Sequence, residues 1–284
     1  MDGSDLKDWL GRTETRHDMI RADIVERLAA TLDRDQPLLR DGSFVPPLVH
    51  WCHFLAHERQ SEIGPDGHAK RGGFLPPVHH LPRRMWAGGR LAFPGMLRVG
   101  QAVERRSTIA DIKAKMGGAG ELVFVTIRHE ICEAGGVPAL LTEEHDIVYR
   151  AAQGPAIKPS EIAPRGEWHR SLTPDAVLLF RYSALTFNGH RIHYDRDYVT
   201  KEEGYPGLIV HGPLTATLLL DLVQRMLPEA RIERFSFRGV SPLFDGNLVH
   251  LNGMPPDAEG RITLWATDHE ERLAMKAEAT VRRE

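Results

Sequence analysis

The chain has 284 residues, of which 42% are hydrophobic and 26% charged, with a formal net charge of −3. That length suits one large domain or two of ordinary size, and the balance is that of a water-soluble globular protein. The small negative charge argues against a nucleic-acid partner, and no apolar run approaches the ~18 residues needed to cross a bilayer.

The amino terminus, Met1-Asp2-Gly3-Ser4-Asp5, is acidic and has no apolar segment, so no signal peptide is expected and the cytoplasm is the expected location. Cys52 and Cys132 stand far apart, outside any Cys-x-x-Cys spacing, and read as inert thiols of a reduced compartment. Ile20, Ile24, Leu28 and Leu32 recur every four residues and predict an amphipathic helix over 15–33. Pro46-Pro47 opens a second apolar segment, 48–55, which reads as a buried helix, although its periodicity also allows a strand. Residues 61–82 are rich in Gly, Pro and His and read as a long loop, a feature that often carries function. β-type segments follow over 85–150, punctuated by turns at Gly88-Gly89, Gly117-Gly118-Ala119-Gly120 and Gly135-Gly136. Residues 151–166, with Pro155, Pro159, Pro164 and Gly166, are the expected linker.

The second half repeats this plan. A helical stretch over 175–186 leads into a histidine-rich motif, and a second helix covers 213–226. Leu214, Ala216, Leu218, Leu219, Leu220, Leu222, Val223 and Met226 occupy nearly every face of that helix, so it should be buried, and Pro228 ends it. β-type segments follow at 231–238, 247–252, 261–268 and 273–283. The stretch 93–103 also aligns with 237–249 if two inserted residues are allowed. A duplication is expected, with units over 1–150 and 167–284, each one central helix wrapped by an antiparallel sheet. Chance similarity between β-rich segments is the competing explanation, and the shared order of elements decides against it.

The chemistry concentrates in Thr186-Phe187-Asn188-Gly189-His190-Arg191-Ile192-His193-Tyr194-Asp195, followed by Val210-His211-Gly212-Pro213 at the start of the apolar helix. Unperturbed imidazole titrates near pH 6.5, so His193 can accept and return a proton at neutral pH. His190 reads equally as an active-site group or as loop support. Asn188 cannot ionise but can hold a water or a substrate oxygen. Asp195 is expected to cap the short helix after it. Gly212 lacks a Cβ and sits where free backbone N–H groups and the helix dipole favour negative charge.

Other signals weigh less. His190, His193 and Asp195 have ligand-like spacing, but a zinc site needs more ligands, and neither a metal nor a cofactor is expected. The glycines at 117–120 are not followed by Gly-Lys-Ser/Thr, so no phosphate loop is present. His79-His80 with Arg83-Arg84 reads as solvated surface or as an anion site. No serine nucleophile elbow is visible, and neither cysteine has an evident base.

The motif at 186–195, with Val210-His211-Gly212, resembles the signature of MaoC-like hot-dog hydratases. Within these it is most similar to the two-unit group of hydroxyacyl-thioester dehydratase type 2 and the mesaconyl-CoA and itaconyl-CoA hydratases. In the first unit the resemblance rests on 80–89 and on 122–126. It implies an α+β double hot-dog fold, a first unit without catalytic residues, and an acyl-CoA or acyl-carrier thioester as partner, with a homodimer compatible. The wider signature places Asp, Asn and His where this chain has Asn188, His190 and His193. The resemblance therefore implies His193 as principal base and acid, Asn188 positioning the water, and His190 supporting or sharing the transfer. Gly212, with His211, would hold the enolate oxygen, and Arg83, Arg84 and Arg191 would serve anionic groups of the substrate or of CoA.

The expected function is reversible hydration of an enoyl-thioester, a short branched dicarboxylic acyl-CoA such as mesaconyl-CoA or itaconyl-CoA. The rivals are a 3-hydroxyacyl-thioester dehydratase of fatty acid metabolism and a non-catalytic acyl-CoA binding module. A thioesterase would need a carboxylate on the central helix, where Asp221 is the one candidate.

Overall fold

Among the described residues, ten strands join into one antiparallel sheet. In the computed structural model, which describes residues 4–35, 39–117, 120–151 and 160–282, the first five are β1 (Thr13–Met19), β2 (Arg83–Ala92), β3 (Ala102–Gly117), β4 (Gly120–Glu133) and β5 (Leu141–Arg150). The others are β6 (Trp168–Leu172), β7 (Arg231–Gly239), β8 (Val249–Gly253), β9 (Arg261–Thr267) and β10 (Leu273–Arg282). The sheet order is β1-β3-β4-β5-β2-β7-β10-β9-β8-β6. From either edge inward, the strands come first, third, fourth, fifth and second of their own set. The sheet is thus two copies of one plan, joined where β2 pairs with β7, in the double hot-dog arrangement.

The α-helices among the described residues are α1 (Ser4–Lys7), α2 (Ala22–Thr31), α3 (Ala176–Leu185), α4 (Arg196–Lys201) and α5 (Gly212–Met226). The long helix α5 is buried from Leu214 to Val223 and lies against β6, β8, β9 and β10. Ala266, Ala277 and Ala279 on those strands are small and buried, which lets a helix apolar on all sides approach the sheet.

Three expectations need correction. Residues 15–33 are not one helix: β1 forms an edge strand on β3, burial alternates along it, and only Ala22–Thr31 is helical. Sheet pairing wins over the four-residue spacing there, and Ile20, fully buried, marks the corner. The segment 48–55 holds only a 3₁₀ turn, Val49–Cys52, bounded by left-handed residues at Leu48 (φ 69°) and Phe54 (φ 52°). Its side chains bond away from a helical path, with both His50 Nε2 and Trp51 Nε1 reaching Glu143. Among the described residues, the first half therefore has no counterpart of α5. Gly88 and Gly89 do not make a turn but lie within β2, opposite Arg238 and Phe237. A Cβ at Gly88 would come within 2.5 Å of the Phe237 carbonyl oxygen, so glycine permits the close junction of the halves.

The other elements fall close to expectation. Residues 61–82 have no strand beyond a bridge between Ile63 and Ala69, and the hairpin turn at 135–136 is in place. Of the 117–120 turn, 118–119 lie outside the described residues, as do 152–159 of the expected linker. The main apolar core runs through both halves around α5, and a smaller one, including Val78, Leu81, Val125 and Tyr149, sits under the end of the long loop. No helix among the described residues is long and apolar enough to cross a membrane.

Candidate active site

The histidine motif is shaped by its own caps. Asp175 accepts from the Leu178 N–H (2.8 Å) to start α3, and the chain leaves that helix through Phe187 in the left-handed region (φ 49°). Asn188 Oδ1 then accepts from the His190 N–H at 3.0 Å, closing a side-chain turn before the 3₁₀ turn Arg191–His193. Asp195 caps α4 as expected, accepting from the Tyr198 N–H (3.0 Å), and also pairs with Arg191 at 2.8 Å. These two tasks take Asp195 out of any ligand set with His190 and His193.

His193 is buried, and its Nδ1 lies 2.7 Å from the Ile209 carbonyl oxygen. A carbonyl only accepts, so Nδ1 carries the hydrogen and the neutral ring keeps an unshared pair on Nε2. Burial lowers the ring to about 4, which keeps it neutral and able to take a proton at pH 7. The ring of His211 stacks on it, and His211 Nε2 bonds to Ser183 Oγ at 2.8 Å. Burial, with His193 and His190 adding to it, holds His211 well below the usual histidine value. His190 stands edge-on to His193, ring centres 5.5 Å apart, and burial with its histidine neighbours lowers it to about 2.

A further histidine comes from the first half. The loop at 64–68 lies across the motif: the Arg191 N–H donates to Asp66 O (2.9 Å), and Arg191 Nη1 donates to Pro65 O (3.0 Å). Gly67 (φ +90°) has no room for a side chain, since a Cβ there would sit 1.8 Å from the Gly189 oxygen. This places His68 against His190, ring centres 4.0 Å apart, and His68 Nδ1–H donates to Asp66 Oδ2 at 3.0 Å. Burial would raise the Asp66 carboxyl, but the His68 hydrogen bond and charge and the His68 N–H bring it well below the usual carboxylate range. Burial lowers His68, with the charge of Arg84 adding to that. Sequence reasoning singled out neither Asp66 nor His68. The one signal was the Gly- and His-rich composition of the loop.

His68, Ser183, Asn188, His190, His193 and His211 line one cavity of about 1730 Å³, with Asp66 behind His68. Gly212 opens onto it, since a Cβ there would meet nothing within 4 Å. The cavity extends into the first half past Trp51, Trp86 and Phe237. There the pleat places His129, Glu143 and His145 on the inner face of β4 and β5, a face met by the His50 and Trp51 side chains in place of a helix. Burial would raise Glu143, but His50 at 3.0 Å and the charges of the histidines around it hold it at about 2.

The three arginines of the expected anion site are separated. Arg83 pairs with Glu203 (3.2 Å), and Arg191 is taken by Asp195. Arg84 lines the cavity and has no carboxylate partner among the described residues, and its charge bears on His68, His190 and His145. His80 pairs with Glu121 on the surface. Asp221 is buried on α5 among Arg34, Arg170 and Arg225, at 3.3, 3.0 and 2.6 Å. That network gives it a structural role away from the histidines.

Residues 48–245 match the family model of hydroxyacyl-thioester dehydratase type 2. The chain belongs to this family. It is 43% identical over 281 residues to mesaconyl-C(4)-CoA hydratase of Chloroflexus aurantiacus, covering 94% of this chain and 98% of that relative. Among solved structures, a MaoC-like dehydratase from Phytophthora capsici superimposes with a TM-score of 0.71 at 13% identity, covering all of both chains. A Mycobacterium tuberculosis protein described as a double hot-dog superimposes with a TM-score of 0.60 at 14% identity, covering 96% of each. The family is one of hydro-lyases acting on acyl thioesters, and this chain is such an enzyme.

Proposed function

We propose that the protein hydrates a short branched dicarboxylic enoyl-CoA, reversibly, at the histidine cluster beside Gly212. The observation that carries this reading is the tautomer of His193: the Ile209 carbonyl fixes its Nδ1–H and leaves Nε2 as a base in the cavity that Gly212 opens onto. The thioester oxygen takes the Gly212 N–H at the start of α5, where the dipole stabilises the enolate. Water, held by the Asn188 amide, gives one proton to His193 Nε2 as its oxygen bonds to the β-carbon. The C=C electrons move to the thioester oxygen. The proton then passes from His193 to the α-carbon, the carbonyl re-forms, and the ring is neutral again.

Arg84, which lines the cavity and has no carboxylate partner among the described residues, suits the free carboxylate of a dicarboxylic acyl group. The relative at 43% identity is named for mesaconyl-C(4)-CoA, which supports that choice. Dehydration of 3-hydroxyacyl thioesters in fatty acid metabolism is the second reading, supported by the family description and by a cavity of about 1730 Å³, which has room for a longer chain. We further take 1–150 as a unit without catalytic residues of its own motif type and 167–284 as the unit carrying the motif, joined by 151–166. A cytoplasmic setting and a homodimer belong to this proposal, the latter to be read by sedimentation.

The test is incubation with mesaconyl-C(4)-CoA, itaconyl-CoA and crotonyl-CoA while enoyl absorbance is followed. Loss of absorbance, fastest with a dicarboxylic substrate, is expected. No turnover of any enoyl thioester would overturn the reading, and thermal stabilisation by acyl-CoA without turnover would replace it with a binding module.

A further inference from the structure

Proton uptake by the cluster raises a problem of charge. His68, His190, His193 and His211 touch ring to ring, and burial disfavours a cation on each of them. Asn188, at the position of the wider family's carboxylate, cannot balance an imidazolium. Among the described residues, Asp66 is the carboxylate hydrogen-bonded to a histidine of this cluster. A side-chain oxygen of Asp66 and ring nitrogens of His68 and His190 all lie within 4.8 Å of one another.

We propose that Asp66 and His68, delivered by the first half's loop, complete the proton-transfer machinery by stabilising the imidazolium that forms when the cluster takes the proton of the attacking water. The proposal rests on the hydratase reading above and extends it. Asp66 stays ionised throughout. The O–H bond of water breaks and its proton rides on the cluster, and the same proton ends on the α-carbon. The negative charge of Asp66, carried to the cluster by the His68 Nδ1–H bond, lowers the cost of the intermediate state. Asp66 is thus a positioning residue that acts through His68.

The loop is built to hold this pair still. Gly64 N–H donates to His68 O at 2.7 Å, His68 N–H donates to Asp66 Oδ1 at 3.0 Å, and Gly67 is pressed on Gly189. Other charges facing the pair are Arg84 and Arg71, which oppose protonation of His68, and the Tyr198 hydroxyl, near Asp66.

Asp66→Asn is the informative variant. The amide keeps Oδ1 for the His68 N–H, so the loop turn survives, but its NH₂ cannot accept from His68 Nδ1. We expect kcat on mesaconyl-C(4)-CoA to fall about 10²–10⁴-fold, with KM within about threefold. The acid limb of the kcat/KM profile should move to lower pH, because an anion that favours the cluster's protonated form is gone. Asp66→Glu should recover part of kcat. Activity within threefold of the parent, or a loss with an unmoved acid limb or a raised KM, would overturn the proposal. Histidine-ring NMR titration of the resting protein reads the coupling without turnover: His68 should titrate about one unit lower in Asp66→Asn. A parent that hydrates nothing would overturn the hydratase reading and, with it, this proposal. A parent that hydrates normally and shows no coupling would overturn this proposal alone.

Discussion

The imidazole of His211 lies face to face with that of His193, ring centres 3.6 Å apart and planes 18° from parallel. Ser183 holds one ring and the Ile209 carbonyl the other, so neither can turn without losing a hydrogen bond. His193→Ala is expected to lower kcat about 10²–10⁴-fold, and His211→Ala about tenfold with KM little changed. Steady-state kinetics decides this, and near-normal turnover in His193→Ala would assign the base elsewhere.

Stability should fall on acidification. Burial holds His193 and His145 at about 4, His129 at about 3 and His190 at about 2 in the folded chain. In the unfolded chain each titrates near 6.5, so between those values the unfolded state binds more protons and stability rises with pH. This contribution is complete above about pH 6.5 and is lost progressively as pH falls, down to about 4 for His193 and His145 and further for His129 and His190. Glu143, depressed to about 2, adds a loss in the same direction at lower pH. Melting temperatures from pH 8 to pH 4.5 should therefore decline on the acid side, and a flat profile would contradict the burial of neutral rings.

Arg84→Met should discriminate among substrates. Loss of a charge-assisted hydrogen bond to a substrate carboxylate costs about 1.5–3 kcal/mol, so KM for mesaconyl-C(4)-CoA should rise roughly 10–100-fold. KM for crotonyl-CoA, which has no second carboxylate, should stay within a few-fold. Equal effects on both would place the anchor at another residue.

Gly212→Ala separates packing from chemistry. The added methyl meets no protein atom within 4 Å, so the melting temperature should hold. It would occupy the space through which the thioester oxygen reaches the N–H, and kcat should fall about tenfold or more. Unchanged kinetics would remove Gly212 from the oxyanion role.

Asp221→Asn tests the ion network on α5. Three partly exposed arginines would lose their shared buried partner, at a cost of about 1.5–3 kcal/mol. Hydration per folded molecule should be unchanged, and neither protein should release free thiol from an acyl-CoA. Thiol release by the parent that Asp221→Asn abolishes would restore the thioesterase alternative.

Much of this was legible in the sequence because the periods were strong. The apolar run from Leu214 to Val223 could only be a buried helix, and the motif at 186–195 marked the cluster through His190 and His193. The errors came where local pattern competes with partners distant in the chain. Gly88-Gly89 looks like a turn until Phe237 lies across from it. Residues 48–55 look helical until Glu143, some ninety residues on, takes the His50 and Trp51 side chains. Asp66 and His68 were hidden for the same reason: their meaning depends on Gly67 meeting Gly189.

The 3₁₀ turn that stands in the first half where the second has α5 bears on how acyl groups are selected. A helix of fifteen residues would run about 22 Å along β3–β5 and fill that face. Instead β3 and β4 extend to 16 and 14 residues, against 5 and 7 in β8 and β9. The freed volume becomes part of the chamber. Bulkier side chains on that wall should retune which acyl group fits while leaving every histidine of the cluster in place.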